Sequence, residues 1–400
     1  MQILLPYCRS IPENCFYQDF HRGVTEALHE LGHEPIPFSF AAPGQSSQEE
    51  ADALYRQLES GNLDAVLDLA CWGYGLSHIA VLRNGEKQTI FDAFDVAYAG
   101  MLFDHPYNQP INGIRARKSY VTYPDLGHPE QARYAFPDLR LHREIFAPPG
   151  IRPDNDRSAE NWSDRDIDVL YVGNLAPDAL KRFWLNPPAK GQKHPFEPGI
   201  CNAIVNAALA DPDRSLSLSV DAAIALLRTL PRGFDFNAYL RAAEWFLRAT
   251  FRRDAVVALA RSGVRMRVIG RGWDSIALPA NVELGAGTDY EGFFRLAGRA
   301  KICLDASTYL DGANDRVFTY ALNRAVCFTN AAGYLRRAFG EENGMRFYSM
   351  RNLSELGEQV NMLLARPDAL REAGERARQT VLASHTWRHR VGDILSAMPC

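Results

Sequence analysis

The feature that most constrains this chain is an alternation, run twice. Short apolar stretches of four to eight residues trade places with helical patterns, first over 1–150 and again after 166. Gln2–Tyr7, Ala65–Leu69, Val96–Phe103 and Ser119–Tyr123 are strand candidates in the first run. Between the first two, Phe20, Val24, Ala27, Leu28 and Leu31 recur at helical spacing, and Gly32 offers a stop. Strands separated by helices predict a parallel, doubly wound sheet. The stretch 147–166, "APPGIRPDNDRSAENWSDRD", is rich in Pro, Asp and Ser and reads as the linker.

The second run begins with a strand at Asp168–Val172 ending in "GNL". Residues 175–262 show no clear strand and read as a helical insertion. The alternation then resumes: strand Met266–Ile269, strand Val282–Leu284, helix Tyr290–Ala300, strand Lys301–Asp305, helix Arg316–Leu322 and strand Val326–Thr329. Amphipathic helices follow near 353–364 and 368–383, and a last helix starts in "SHTWRHRVGDIL". The expected architecture is α/β, with two Rossmann-like parallel-sheet domains facing a cleft. The domains are 1–150 and 166–384, with 385–400 packing back on the first.

A chain of 400 residues is long for one core, which agrees with two domains. Its net charge of −4 gives no electrostatic case for nucleic acid or an anionic membrane. The N-terminus lacks a basic start, and no stretch approaches the ~20 apolar residues of a spanning helix, so a cytoplasmic location is expected. Peripheral membrane contact and a homo-oligomer stay open. The seven cysteines form no CxxC pair, so a reduced compartment without a metal is expected.

In an open parallel sheet, ligands sit beyond the carboxyl ends of the strands. Three post-strand stretches have suitable chemistry. Gly270-Arg271-Gly272 follows "MRVI"; glycine admits close approach of a diphosphate, and Arg271 can neutralise it. Asn314 and Asp315 can cap a helix whose N-terminus suits phosphate, with Arg316 adding a full charge. Asp311 can accept from ribose hydroxyls, and Tyr290 can stack on a base or pack in the core of its own helix. The alternative for Asp315 and Arg316 is a cap and its ion-pair partner. It accounts less well for the whole Asp-Gly-x-x-Asp-Arg cluster.

The order "YVGNL", "VIGRGW", "NDRVFTYALNRAVCFTN" and "HTWRHR" resembles the C-terminal half of CgeB-like glycosyltransferases of the GT-B type, over roughly 166–395. "LFDHPYNQP" looks like the divergent acceptor domain of that group. The resemblance implies a nucleoside-diphosphate sugar as co-substrate, bound mainly by the second domain. It also implies an acceptor hydroxyl of a protein, glycan or lipid-linked glycan on the first, with no cofactor and no required metal. Many relatives carry a glutamate where this chain has Thr319, and a glycine where it has Arg324. That departure leaves open a binding-only protein, and an epimerase or hydrolase is a further alternative.

Transfer needs a base for the acceptor hydroxyl and positive charge for the departing diphosphate. Arg271 and Arg316 are candidates for the second task. For the base, Asp104 or His105 follows the strand "YAGMLF"; Asp104 can act itself or orient His105. Asp19 with His21, and then His78, are rivals. His385 and Trp387 are expected to pack rather than to bind a ligand.

Overall fold

The computed structural model describes the whole chain except residues 12–14, 84, 160, 177–197, 215, 228–235, 331–332, 341–342 and 399–400. It divides into two compact units, Met1–Arg152 with Thr386–Cys400, and Pro153–His385.

The sheet of the first unit has the order β2-β1-β3-β6-β7-β8, all parallel. Its strands are β1 (Gln2–Cys8), β2 (Glu34–Phe40), β3 (Ala65–Leu69), β6 (Ala97–Met101), β7 (Ser119–Tyr123) and β8 (Arg143–Phe146). A separate hairpin joins β4 (Ala80–Arg83) to β5 (Glu86–Thr89). Strands β3, β6 and β7 are buried at every position, which is why they read as mainly apolar runs without alternation, interrupted only by Asp68, Ser119 and Thr122.

The sequence reading does not find β2, because "EPIPFSF" carries two prolines. They are tolerated because β2 is an edge strand. Glu34 donates its N–H to Met1 O at 2.9 Å, so even-numbered residues of β2 face β1. Pro35 and Pro37 therefore face outward, where no ladder hydrogen bond is lost and strand addition is discouraged.

The helix Trp387–Ala397 belongs to the first unit and packs on the helix Phe16–Glu30. Trp387 lies edge-on to Phe20 and Phe103, with ring centroids 5.0 and 6.1 Å away. A side chain at Gly23 would have no room: a Cβ there would stand 2.1 Å from the indole. Arg152 is buried and clasps the Phe16–Glu30 helix, bonding Asp19 at 3.1 Å and Glu26 at 2.8 and 2.9 Å.

The second sheet has the order β11-β10-β9-β12-β13-β14, again all parallel. Its strands are β9 (Ile167–Val172), β10 (Met266–Ile269), β11 (Val282–Gly285), β12 (Ala300–Asp305), β13 (Val326–Thr329) and β14 (Met345–Phe347). Alternate residues Val169, Tyr171, Val268, Ile302, Leu304 and Phe328 share one core with Val256 and Leu259 of the helix Phe236–Arg261. The end of that helix is thus the crossover between β9 and β10. Helices Pro198–Ala210 and Leu216–Leu227 precede it, while 177–197 and 228–235 of the expected insertion lie outside the described residues. No described helix is long and apolar enough to cross a membrane. His385 stacks with Phe318 and Phe339, at 4.9 and 5.2 Å, and those two rings also stack on each other.

Trp387→Ala should lower the unfolding free energy by about 3–5 kcal/mol, the cost of emptying a buried tryptophan site. Urea titration checks this, and a change under about 1 kcal/mol would mean that the terminal helix does not close the first core.

Candidate functional site

Strand order reverses between β9 and β12, so a ligand crevice is expected beyond their carboxyl ends. β12 ends in Asp305, which is fully buried. Its carboxylate receives Arg316 Nη2 at 3.1 Å, Thr329 Oγ1 at 3.0 Å and Asn314 Nδ2 at 3.2 Å. Arg316 also donates through Nη1 to Val172 O, the last carbonyl of β9, at 3.2 Å. One guanidinium therefore ties β9 to β12 at the reversal.

The helix Asp315–Leu322 starts there because Asn314 Oδ1 accepts from Arg316 N at 3.0 Å. Asp315 accepts from the Tyr290 hydroxyl at 2.8 Å, and burial pushes its carboxyl up. Burial works against the charge on Arg316. The Asp305 carboxylate, together with smaller contributions from Tyr171, Tyr320 and Asp315, outweighs it and holds the guanidinium above its ordinary value.

The loop after β10 meets the same place. Gly270 has φ +145°, and a Cβ on it would stand 2.3 Å from Gly173 O. A Cβ on Gly173 would in turn stand 3.1 Å from Arg316 Nη1. The turn after β10 and the helix tip thus converge, with Gly173 between them. Gly272, at φ +87°, opens the short turn Trp273–Ser275.

The loops are joined by their own groups. Gly270 N donates to Gly285 O at 3.3 Å and Arg271 N to Asn174 Oδ1 at 2.9 Å. The expectation that these N–H groups face a diphosphate is therefore corrected, since protein acceptors already occupy them. The Arg271 side chain is exposed and has no partner among the described residues. Arg316 is likewise turned inward onto Asp305 rather than outward.

A further cation comes from a place where the sequence reading assigns no site. Arg252 of the helix Phe236–Arg261 donates Nη1 to Asn174 O at 2.8 Å, while its Nε is buried without a partner. Burial pushes it down, as do the like charges of Arg316 and Arg248. Glu244 and Arg248 precede it at four-residue steps, and Glu244 accepts from Thr308 Oγ1, on the loop after β12, at 2.9 Å. The Glu-x3-Arg-x3-Arg spacing is the signal that was available for this column.

Other expected residues lie differently. Asp311 turns to Arg337, at 2.6 Å, and does not join Arg316. Tyr290 packs edge-on against Phe294, at 4.7 Å, and its hydroxyl fixes Asp315. Thr319 is fully buried, so the position that carries glutamate in many relatives offers no ligand group here. Arg324, where relatives have glycine, holds φ +56°, a left-handed conformation that explains the preference for glycine.

In the first unit, Asp104 is half-buried beyond β6 and accepts from the backbone N of His105 at 2.8 Å. The His105 ring is fully buried, stacked on Tyr107 at 5.2 Å, with Nδ1 3.0 Å from Gln131 Oε1. Asp19 is paired with Arg152, which gives it a structural use. His21 is pushed down by burial, and His78 Nε2 is bonded to Gly113 O.

The sequence reading also misses Asp68, fully buried in β3. It accepts from the Tyr98 hydroxyl and from Gly73 N, the latter at 2.9 Å. Burial pushes its carboxyl up to about 7, against the pull of those two hydrogen bonds.

Residues 246–396 match the family model described as "Glycosyl transferase-like". The match covers Arg252, the Gly270 turn and the Arg316 helix. No curated protein matches the sequence. Among solved structures, Anabaena Alr3699/HepE in complex with UDP and glucose is 9% identical over 99% of each chain, with a TM-score of 0.54. The DNA-modifying β-glucosyltransferase, studied with and without uridine diphosphoglucose, is 10% identical over 100% of this chain and 99% of its own, also at 0.54. AviGT4, a glycosyltransferase of avilamycin A biosynthesis, is 13% identical over 99% and 96%, at 0.52. At these identities the likeness establishes the fold, which is that of the GT-B glycosyltransferases.

Two outcomes test these environments. Arg316→Ala strands Asp305 without its cation and should cost about 3–5 kcal/mol of stability, whereas Arg271→Ala should cost less than about 0.5. Calorimetric melting distinguishes them, and equal losses would remove Arg316 from its bracing role. Asp68, held at about 7 against an ordinary 3.8, keeps its proton more tightly folded than unfolded. Its stabilisation is complete below about pH 4 and is lost as pH rises to about 7, a fall of up to about 4 kcal/mol. Asp68→Asn should flatten that slope in denaturant titrations at pH 4–7, and an unchanged slope would assign it to other groups.

Proposed function

We propose that this protein transfers a sugar from a nucleoside-diphosphate sugar to an acceptor hydroxyl, as an enzyme of CgeB-like type. One observation carries the proposal. Glycine turns, the exposed Arg271 and the partly buried Arg252 lie on the loops that meet the capped start of the helix Asp315–Leu322 where strand order reverses. Supporting it, HepE and the β-glucosyltransferase are described with UDP or UDP-glucose.

The chemistry follows from charge. The acceptor oxygen forms a bond to the anomeric carbon as the bond from that carbon to the diphosphate breaks. The diphosphate leaves with an extra negative charge. Arg252 and Arg271 neutralise that charge, and the helix N-terminus adds its partial positive charge. Arginines meet this need in a reaction that we propose to be independent of metal. Arg316 acts behind them, holding the helix start in place through Asp305.

The acceptor loses a proton, which requires a base. Asp104 is the carboxylate we propose from the first unit, because it follows β6 directly and is not wholly buried. Asp311 remains the proposed acceptor for sugar or ribose hydroxyls, in competition with Arg337. Tyr290 supports the site by fixing Asp315.

A thermal-shift series with UDP, GDP and dTDP, alone and as sugar conjugates, tests the donor site. At least one should raise the melting temperature by mass action. Arg252→Ala should weaken that nucleotide by about 1.5–3 kcal/mol, the range for hydrogen bonds to charged groups. Asp104→Asn should bind it unchanged and lose about 10²–10⁴ in kcat. No shift with any nucleotide would sink the donor-site reading, and full turnover in Asp104→Asn would remove that base.

A further inference from the structure

A second cavity, of about 530 Å³, opens at the carboxyl ends of β13 and β14. It shares Asp311 with the residues discussed above and is otherwise separate from the Gly173–Arg316 cradle. Phe347 and Tyr348 contribute ring surface. The Arg336 guanidinium covers Phe347 at 4.5 Å, and the Tyr348 hydroxyl is directed away, to Asp305 O at 2.8 Å. On another side, Asn352, Glu355 and Gln359 face in from the start of the helix Ser354–Leu364 and the residues before it. The Gln359 amide has no partner among the described residues.

The remaining wall is Asp213, in the turn between helices Pro198–Ala210 and Leu216–Leu227. This turn is clamped to the loop after β14. Asp213 accepts from Ser349 Oγ and from Met350 N, the latter at 3.2 Å, and Asp211 pairs with Arg351. The helical insertion thus completes the cavity.

We infer that this cavity is a carbohydrate subsite, which on the glycosyl-transfer reading holds a saccharide acceptor. Carboxylate oxygens accept from neighbouring hydroxyls, and Gln359 supplies a donor, whereas the Asn352 amide is engaged by Glu355 and Ser354; ring faces suit the C–H surface of a pyranose. Three carboxylates, Asp213, Asp311 and Glu355, outnumber the one lining arginine, Arg336, which disfavours phosphate or nucleotide. The volume falls in the range of small-molecule sites, about 300–1,000 Å³. The identification of the saccharide as acceptor rests on the proposed function; the binding itself does not.

Saturation-transfer NMR on the full chain tests it, with glucose, galactose, N-acetylglucosamine and maltose as probes. At least one should bind near about 1 mM or tighter. Gln359→Ala should weaken that sugar about two- to tenfold, as loss of one neutral hydrogen bond does, with melting temperature unchanged. Absence of binding by all four sugars, or unchanged binding in Gln359→Ala, overturns the inference. Binding by spermidine and by no sugar overturns it as well. UDP binding without sugar binding removes this subsite and leaves the donor site. Sugar binding without any nucleotide shift does the reverse.

Discussion

The second unit depends on one buried ion pair, Arg316 with Asp305, placed where the strand order of its sheet reverses. Neither partner could stay alone. Asp305 is wholly inside, and an unpaired carboxylate there would carry a large desolvation cost. Arg316 answers that charge, and through Val172 O it also fixes the end of the neighbouring strand. Asn314 joins the same carboxylate and caps the helix that Arg316 begins. Strand end, helix start and loop are therefore set by a single charge cluster, so the N-terminus of the helix is oriented before any ligand arrives.

This arrangement divides the arginines by task. Arg316 faces a protein carboxylate and acts as a brace. Arg252 and Arg271 have guanidinium groups left over after their bonds to the loops, and they are the charges a diphosphate can meet. Asn174 holds both in place, accepting from the Arg271 backbone and, through its carbonyl, from Arg252. The insertion takes part as well. Its long helix supplies Arg252, and its Asp211–Asp213 turn walls the second cavity. It contributes groups to the ends of the sheet besides lengthening the chain.

Much of the fold was legible in the sequence. Buried parallel strands are continuous apolar runs, and amphipathic helices carry a 3.6-residue period, so both units could be read as parallel α/β sheets. The exceptions have local causes. β2 hid behind its outward-facing prolines, and β4, β5, β8 and β14 are only three or four residues long. For the candidate site, several side chains that the sequence offered to ligands have protein partners instead. His105 was read as an accessible base and is sealed under Tyr107 and His128. Asp19 was read as a base and is clamped by an arginine far along the chain. Asp68 was overlooked because a lone aspartate in an apolar run carries no motif.

By itself, the sequence determined the alternation of elements, the glycines at Gly270 and Gly272, and the polar cap before the helix at Asp315. Each is a property of a short window: a period, a backbone conformation, or a side chain reaching its own main chain. Only the tertiary structure decided which charges face protein and which face outward. Arg316 finds one partner eleven residues back and another 144 residues back, on a strand made adjacent by the order of the sheet. Coulomb energy depends on that distance in space and on the water excluded around it, and neither quantity is written in the local order of residues.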